Sequence, residues 1–441
     1  MKKIVGYVKR IAGIFLFILL FLLMGRLFDF LIVDDTQSYT RLTMKEMYEQ
    51  KNIDVLLLGS SHCYRSIIPQ ILDENWNKNT FNAGTSSQQT DGSYYLLKEA
   101  NKFNKIEKVY VEVYYDVLCE NEEYNSQTAA YIISDYMKSP LNKFKYVWES
   151  GKAEYLSLGL IRARRDWEKI FDFSYTSALV EKKLQKPYRQ YEYIYYDDEY
   201  YDGKGYVCNE TAIDQGSFNI KSGFSPISEN AISEKSKTYL SKIINYCKKE
   251  EIELVFFSAP MPDFRLIGVG NYDSYIEQMK SFLYDFGVPY YDFNLCKENL
   301  LQFDDIDFMD NHHLNGRGAN KFSEAFAQIM VKDNPSEAFY SSYDEKVKEC
   351  IPEYFGIIYE CKGEEEMKDC YIFTPVTSSD MDLYYSIYKR GNEEEKYRLI
   401  EGYSNDTSFY LPKEECGYVY INISFDKEGT QTAGKAQLYF D

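Results

Sequence analysis

A nearly continuous apolar run at residues 53–58 ends abruptly at Gly59-Ser60-Ser61-His62. Side chains alternate across a strand, so a run with no polar alternation must be covered on both faces, the pattern of a buried parallel strand. Similar short runs recur at 80–83, 109–114, 254–258 and 289–293, with helical periodicity at 229–249, 272–286 and 318–331. Strands alternating with helices predict a doubly wound α/β sheet, three-layered, with its site at the carboxyl ends of the strands. Residues 34–338 are expected to form this domain.

Two segments fall outside that pattern. Residues 120–225 are too long for an ordinary connection and are read as an insertion. It contains a helical stretch at 127–171 and a tyrosine-rich run at 190–201, in which Tyr195, Tyr196, Tyr200 and Tyr201 are candidates for a substrate platform. From 339 to 441 the texture changes to short β-rich runs at 354–359, 371–374, 383–388, 397–400, 408–411, 418–425 and 435–440. They predict a small antiparallel sandwich.

The first 33 residues predict a membrane anchor. Lys2, Lys3, Lys9 and Arg10 precede an apolar stretch at 11–33, and about 20 residues suffice to span hydrocarbon. Arg26 and Asp29, one turn apart, are expected to pair or snorkel. The bulky 26–30 segment does not fit a signal-peptide cleavage site. The basic flank then stays inside, which places the remainder outside the cytoplasm.

The formal charge of -19 opposes binding to a polyanion, so nucleic acid is not an expected partner. Nine cysteines include no C-x-x-C pair, which removes the zinc-ribbon and thioredoxin readings. Cys350, Cys361, Cys370 and Cys416 cluster late, where an oxidising exterior would permit disulfides.

All three histidines lie in two motifs, His62 beside the serine turn and His312-His313 in Asp310-Asn311-His312-His313. A serine hydroxyl becomes a nucleophile when an imidazole takes its proton, and the imidazole needs a carboxylate to hold its tautomer. Asp310 and His313, three positions apart in a turn, can face one side, with His312 expected to point elsewhere. A zinc site from His62, Asp310, His312 and His313 is set aside, because neighbouring histidines seldom share one ion and no H-E-x-x-H pattern is present. No cofactor is expected.

Gly59-Ser60-Ser61 after the first strand, Asn82-Ala83-Gly84 after the second, Tyr115-Asp116 after the third and Asp310-x-x-His313 near the end resemble the ordered blocks of the SGNH, or GDSL-like, hydrolase superfamily over residues 50–332. The anchored start, Gly-Ser-Ser for Gly-Asp-Ser, and Asp-x-x-His-Leu followed by Gly-x-Gly look closest to anchored proteins that assist D-alanylation of teichoic acids and O-acetylation of exopolysaccharides. Those proteins work beside a multipass membrane-bound O-acyltransferase. The resemblance implies a flavodoxin-like three-layer parallel sheet, with Ser61 as nucleophile, His313 as general base and Asp310 as its orienter. It also implies an oxyanion hole from the N–H groups of Ser61 and Gly84. Tyr115 stands where the family has an asparagine; Asn82, Tyr115 and His62 complete the expected substrate-binding set. The implied function is O-acyl transfer to an envelope or exported polysaccharide through an acyl-serine. The alternatives are an esterase or deacetylase, and a non-catalytic glycan-binding scaffold.

Overall fold

Residues 55–58 form an interior strand of a five-stranded parallel sheet. A computed structural model of the chain describes residues 2–119, 126–150, 156–192, 195–196, 198–212, 231–269, 272–349, 354–365, 368–377, 382–392, 394–412 and 417–440. The sheet strands are β1 (Val55–Leu58), β2 (Thr80–Asn82), β3 (Lys108–Glu112), β4 (Glu253–Ser258) and β5 (Tyr290–Asp292), in the order β2-β1-β3-β4-β5. Val55 lies opposite Thr80 and Lys108, Lys108 opposite Glu253, and Phe256 opposite Tyr290. This is the expected flavodoxin-like order.

Alternate side chains explain why the strands read as continuous apolar runs. Leu56, Leu58, Val109, Val111, Leu254 and Phe256 enter one core, with the helices Thr90–Phe103, Glu234–Glu250 and Tyr272–Tyr284. Val55, Leu57, Tyr110, Val255 and Phe257 enter the other, against the helix Gly316–Ile329. Phe326 of that helix meets Tyr110, Phe257 and Phe293 at ring distances of 5.1, 5.1 and 5.2 Å, so truncating it to alanine would cost about 3–5 kcal/mol. Helix starts follow caps that periodicity alone does not locate. Ser233 accepts the Ser236 N–H, and Asn315 accepts the Gly318 N–H.

The insertion between β3 and β4 differs from the single helical stretch expected at 127–171. It is broken into Ser126–Ser134, Pro140–Ser150, Leu156–Leu160 and a 3-10 helix, Arg162–Phe171. Pro140 cannot continue a preceding helix and opens a new one. The tyrosine-rich run contributes to a three-stranded antiparallel sheet, Tyr195–Tyr196, Glu199–Gly203 and Tyr206–Asn209. Its turn docks on the end of β2. Asn82 N–H donates to the Lys204 carbonyl at 2.9 Å, and Gly205, at φ +84°, approaches so closely that a Cβ would fall 1.6 Å from the Asn82 oxygen.

Among the described residues the C-terminal region contains seven antiparallel strands, as expected. Tyr354–Glu365, Lys368–Thr377 and Ser408–Pro412 make one sheet; Tyr384–Arg390, Arg398–Ser404, Gly417–Ser424 and Thr432–Phe440 make the other. Ile357, Phe373 and Phe409 of the first join Ile387, Val419, Ile421 and Leu438 of the second in one core. Cys350 and Cys416, and the side chains of Cys361 and Cys370, lie outside the described residues, and with them the expected disulfides. Cys63, Cys119, Cys208, Cys247 and Cys296 are free thiols.

At the other end, Lys2–Ile32 is helical, and its segment Arg10–Ile32, of mean hydropathy 2.5, is long and apolar enough to cross a membrane. Of the two expected arrangements of Arg26 and Asp29, pairing or snorkelling, the pair does not form among the described residues. Asp29 Oδ1 instead accepts the Ala163 N–H at 3.0 Å, because the insertion docks against this last stretch of the helix. Lys183 Nζ caps its carbonyls at Asp29 and Phe30, both at 3.2 Å, and Tyr175 donates to the Ile32 carbonyl.

Candidate active site

Three features of the turn after β1 aim Ser61 outward. Gly59 holds φ +154°, and a Cβ there would lie 2.5 Å from Glu112 Oε2, so only glycine fits. Ser60 faces inward: its N–H and hydroxyl donate to Glu112 Oε2 at 2.8 and 3.0 Å, while its Oγ accepts the His62 N–H at 3.2 Å. Ser61 is then the first residue of a one-turn helix, Ser61–Tyr64. The expected choice of Ser61 over Ser60 thus has a geometric basis. Burial pushes the Glu112 carboxyl up to about 7, against the pull of its two bonds from Ser60.

The second half of the site is a tight turn before the helix Gly316–Ile329. Met309 N–H donates to the His313 carbonyl and Asn315 N–H to that of Asp307. Within it, Asp310 Oδ1 accepts the N–H groups of His312 and His313 at 2.9 and 2.8 Å. Its Oδ2 lies 2.8 Å from His313 Nδ1, and His313 Nε2 lies 2.7 Å from Ser61 Oγ. The network assigns the tautomer: Nδ1–H donates to the carboxylate, and the Nε2 lone pair faces the serine hydroxyl. Partial burial pushes the Asp310 carboxyl up, but the bond from His313 and the two imidazoles outweigh it and hold the group below its usual range. It is therefore ionised at neutral pH. The structure brings Ser61, His313 and Asp310 together in the order that acyl chemistry requires.

His312 does not point elsewhere. Its ring centroid is 3.9 Å from that of His313, and its Nδ1 is 3.3 Å from His62 Nε2. His62 is buried, 4.8 Å from His313 and 4.0 Å from Tyr114 between ring centroids. The backbone bonds from His312 and His313 to one Asp310 oxygen curl the turn, so adjacent side chains converge. Burial, and then the neighbouring imidazoles, depress His312 to about 4 and His62 well below its ordinary value. Both are neutral at pH 7. The three histidines offer ring nitrogens within 4.8 Å of one another, a set that could meet a metal ion. Both nitrogens of His313 are already bonded to Asp310 and Ser61, so such an ion would displace the serine or the aspartate.

The oxyanion side departs from expectation. Gly84 N–H is not open, because it donates to Asn82 Oδ1 at 3.0 Å. Asn82 is fully buried, and its Nδ2 donates to the carbonyls of Cys63 and Ile67 at 3.0 and 3.2 Å. It clamps the nucleophile turn to the end of β2 and offers nothing to a substrate. Tyr115 opens a short helix, Tyr115–Cys119, and its ring turns into the core, edge-on to Tyr272 and Tyr275. Its neighbour Tyr114 reaches the site, lying on His62 and donating to Asp116 Oδ2 at 2.6 Å. That same oxygen takes Arg265 Nη2 at 2.9 Å. Arg265 Nε is buried with no partner among the described residues, and its charge reaches both His62 and His312. Sequence reading missed Glu112, Tyr114 and Arg265. The sequence singles out Tyr115, one position from the ring that reaches the site; Arg265, in a helix after β4, carried no motif. Ser61 N–H has no partner among the described residues and remains available to an oxyanion.

No family model matches the sequence, and no curated protein matches it. Among solved structures, the chain is similar to one described as a lipolytic protein of the G-D-S-L family from Desulfitobacterium hafniense DCB-2, at 10% identity and TM-score 0.29, covering 63% of this chain and 99% of that one. It is also similar to one described as an acylhydrolase from Bacteroides fragilis NCTC 9343, at 9% identity and TM-score 0.31, covering 67% of this chain and 96% of that one. At those TM-scores the likeness carries no weight, and the site stands on its own geometry.

Proposed function

We propose that this chain is a serine-dependent enzyme of the SGNH type that moves or removes a short acyl group. The observation that carries the reading is the unbroken line Ser61 Oγ to His313 Nε2 at 2.7 Å and His313 Nδ1 to Asp310 Oδ2 at 2.8 Å. Ser61 Oγ attacks the ester carbonyl while His313 accepts its proton; Asp310 stabilises the imidazolium. The oxyanion is received by the Ser61 N–H, and collapse expels the alcohol, which takes the proton back from His313. The acyl-Ser61 ester is then opened by water or by a sugar hydroxyl, again with His313 as base.

The finer reading is O-acyl transfer, of acetyl in the first instance, onto a cell-envelope or exported polysaccharide, beside a multipass membrane-bound O-acyltransferase. The apolar helix Arg10–Ile32 and the resemblance in the sequence blocks support it. On this reading the basic N-terminus is cytoplasmic and the catalytic domain lies outside.

Purified full-length protein should label with a fluorophosphonate at Ser61 and release alcohol from a chromogenic acetyl ester. An oligosaccharide acceptor that becomes acetylated indicates transfer; ester loss without acceptor modification indicates an esterase. Absence of labelling and turnover would leave a glycan-binding scaffold.

A further inference from the structure

A cavity of about 620 Å³ opens at the foot of the apolar helix, lined by Arg26, Arg41, Lys45 and Lys138 among its cations and by Tyr188 and Tyr191. That size suits a small ligand. Its wall holds six cations and three carboxylates, the reverse of a chain whose net charge is -19. The carboxylates are already engaged. Asp35 binds Arg162 at 3.1 Å and accepts the Tyr188 hydroxyl, Glu49 pairs with Lys45 at 2.7 Å, and Asp29 holds the Ala163 N–H.

Among the described residues Arg26, Arg41 and Lys138 have no carboxylate partner, and of these Arg41 is the buried one. It is 8% exposed and pairs with no carboxylate among the described residues. One Nη donates to the Tyr188 carbonyl at 3.0 Å, and the guanidinium lies 3.7 Å from the Tyr188 ring centre and 3.8 Å from that of Tyr191. A guanidinium buried this far without a counter-charge is costly, and its fork suits the paired oxygens of a phosphate. Lys138, on the surface nearby, lies over the Tyr48 ring at 4.1 Å and has no carboxylate partner among the described residues.

An independent feature points to the source of the anion. The two helices that grip the end of the apolar helix, Arg162–Phe171 and Phe173–Leu184, leave Trp167, Phe171 and Phe173 exposed by 56, 72 and 82%. Large aromatic rings beside cations at the exit of an apolar helix make the belt that sits at a bilayer surface.

We propose that this cavity binds the phosphate headgroup of an anionic membrane phospholipid, with Arg41 holding the phosphate and Lys138 beside it. The assignment rests on reading Arg10–Ile32 as a membrane anchor and is independent of turnover at Ser61. Full-length protein reconstituted in nanodiscs should retain phosphatidylglycerol over phosphatidylcholine in native mass spectrometry, and inorganic phosphate should not displace it. Arg41→Gln and Lys138→Gln should each weaken that preference roughly tenfold, the worth of a charge-assisted bond. A cooperative thermal unfolding transition like the wild type's reports that each variant is folded, and Lys138→Gln carries the test if Arg41→Gln does not fold. Equal retention of the two lipids, unchanged preference in the folded variants, or displacement by inorganic phosphate would overturn the proposal. Release of the wild-type chain from membranes by alkaline carbonate would instead remove the anchor, and the lipid assignment with it.

Discussion

The two sides of Ser61 are built on opposite terms. On the base side, Asp310 has a side chain 36% exposed, engages His313, and is held below the usual carboxylate range. On the supporting side, Glu112 is 5% exposed, serves only the Ser60 turn, and is pushed up to about 7. The Asn82 amide and the Gly84 N–H are likewise satisfied by neighbours within this half. A group that must receive and return a proton needs a charged partner near solvent. A group that holds a turn still needs saturation and dryness. A carboxylate beside a nucleophile is thus assigned by its surroundings, not by its distance from the serine.

The two serine hydroxyls separate the two sides most directly. Ser61→Ala should lower kcat for a chromogenic ester by roughly 10⁴–10⁶-fold, as loss of a triad serine does elsewhere. Ser60→Ala, which removes a bond to Glu112 and the cap on the His62 N–H, should lower Tm and leave kcat within about tenfold. The reverse pattern would exchange the roles of the two sides. Asp310→Asn follows in size. It keeps the shape but stabilises the wrong tautomer of His313, and kcat should fall about 10³–10⁴-fold while thermal stability changes little.

Glu112→Gln sharpens the contrast through pH. A carboxyl whose folded value is raised from 4.5 to about 7 contributes stability that is fully present below 4.5 and is lost as pH rises through 7. Gln mimics the protonated form. The variant should therefore gain on the wild type by on the order of 3 kcal/mol between pH 5 and 8, measured by denaturant unfolding at each pH. The depressed histidines His62 and His312 act in the opposite direction up to their ordinary value of 6.5, so the difference between the two curves is the quantity to read. A flat difference would place Glu112 among the charged groups of the base side.

The base side was legible in the sequence because its residues are scarce. Every histidine lies in one of two motifs at strand ends, and a three-residue Asp-to-His spacing survives as a turn whatever surrounds it. The supporting side was not, because its meaning lies in partners far along the chain. Asn82 reads as a substrate contact until its amide is seen to hold the carbonyls of Cys63 and Ile67, and Glu112 reads as one more strand residue until Ser60 folds onto it. Tyr114 and Tyr115 show a finer limit. Where a strand gives way to a helix the side-chain alternation lapses, so periodicity could not say which ring meets the histidines. The strands themselves, by contrast, followed from apolar runs that sterics force between two layers.

The smallest effect concerns Tyr201, expected from the sequence to belong to a substrate platform. Its ring is fully buried against Leu42, Tyr64 and Val207, and its hydroxyl donates to Glu46 Oε2 at 2.6 Å while accepting the Gly205 N–H at 2.9 Å. Gly205 belongs to the turn that presses on Asn82, so the phenol braces the supporting side from behind. Tyr201→Phe keeps the ring and strips the bonds, leaving a buried N–H unsatisfied, which should lower unfolding free energy by about 1–3 kcal/mol. KM for an oligosaccharide acceptor should not move, since no part of the phenol reaches solvent. A raised KM at unchanged stability would return Tyr201 to the substrate and show that the supporting half also reads the acceptor.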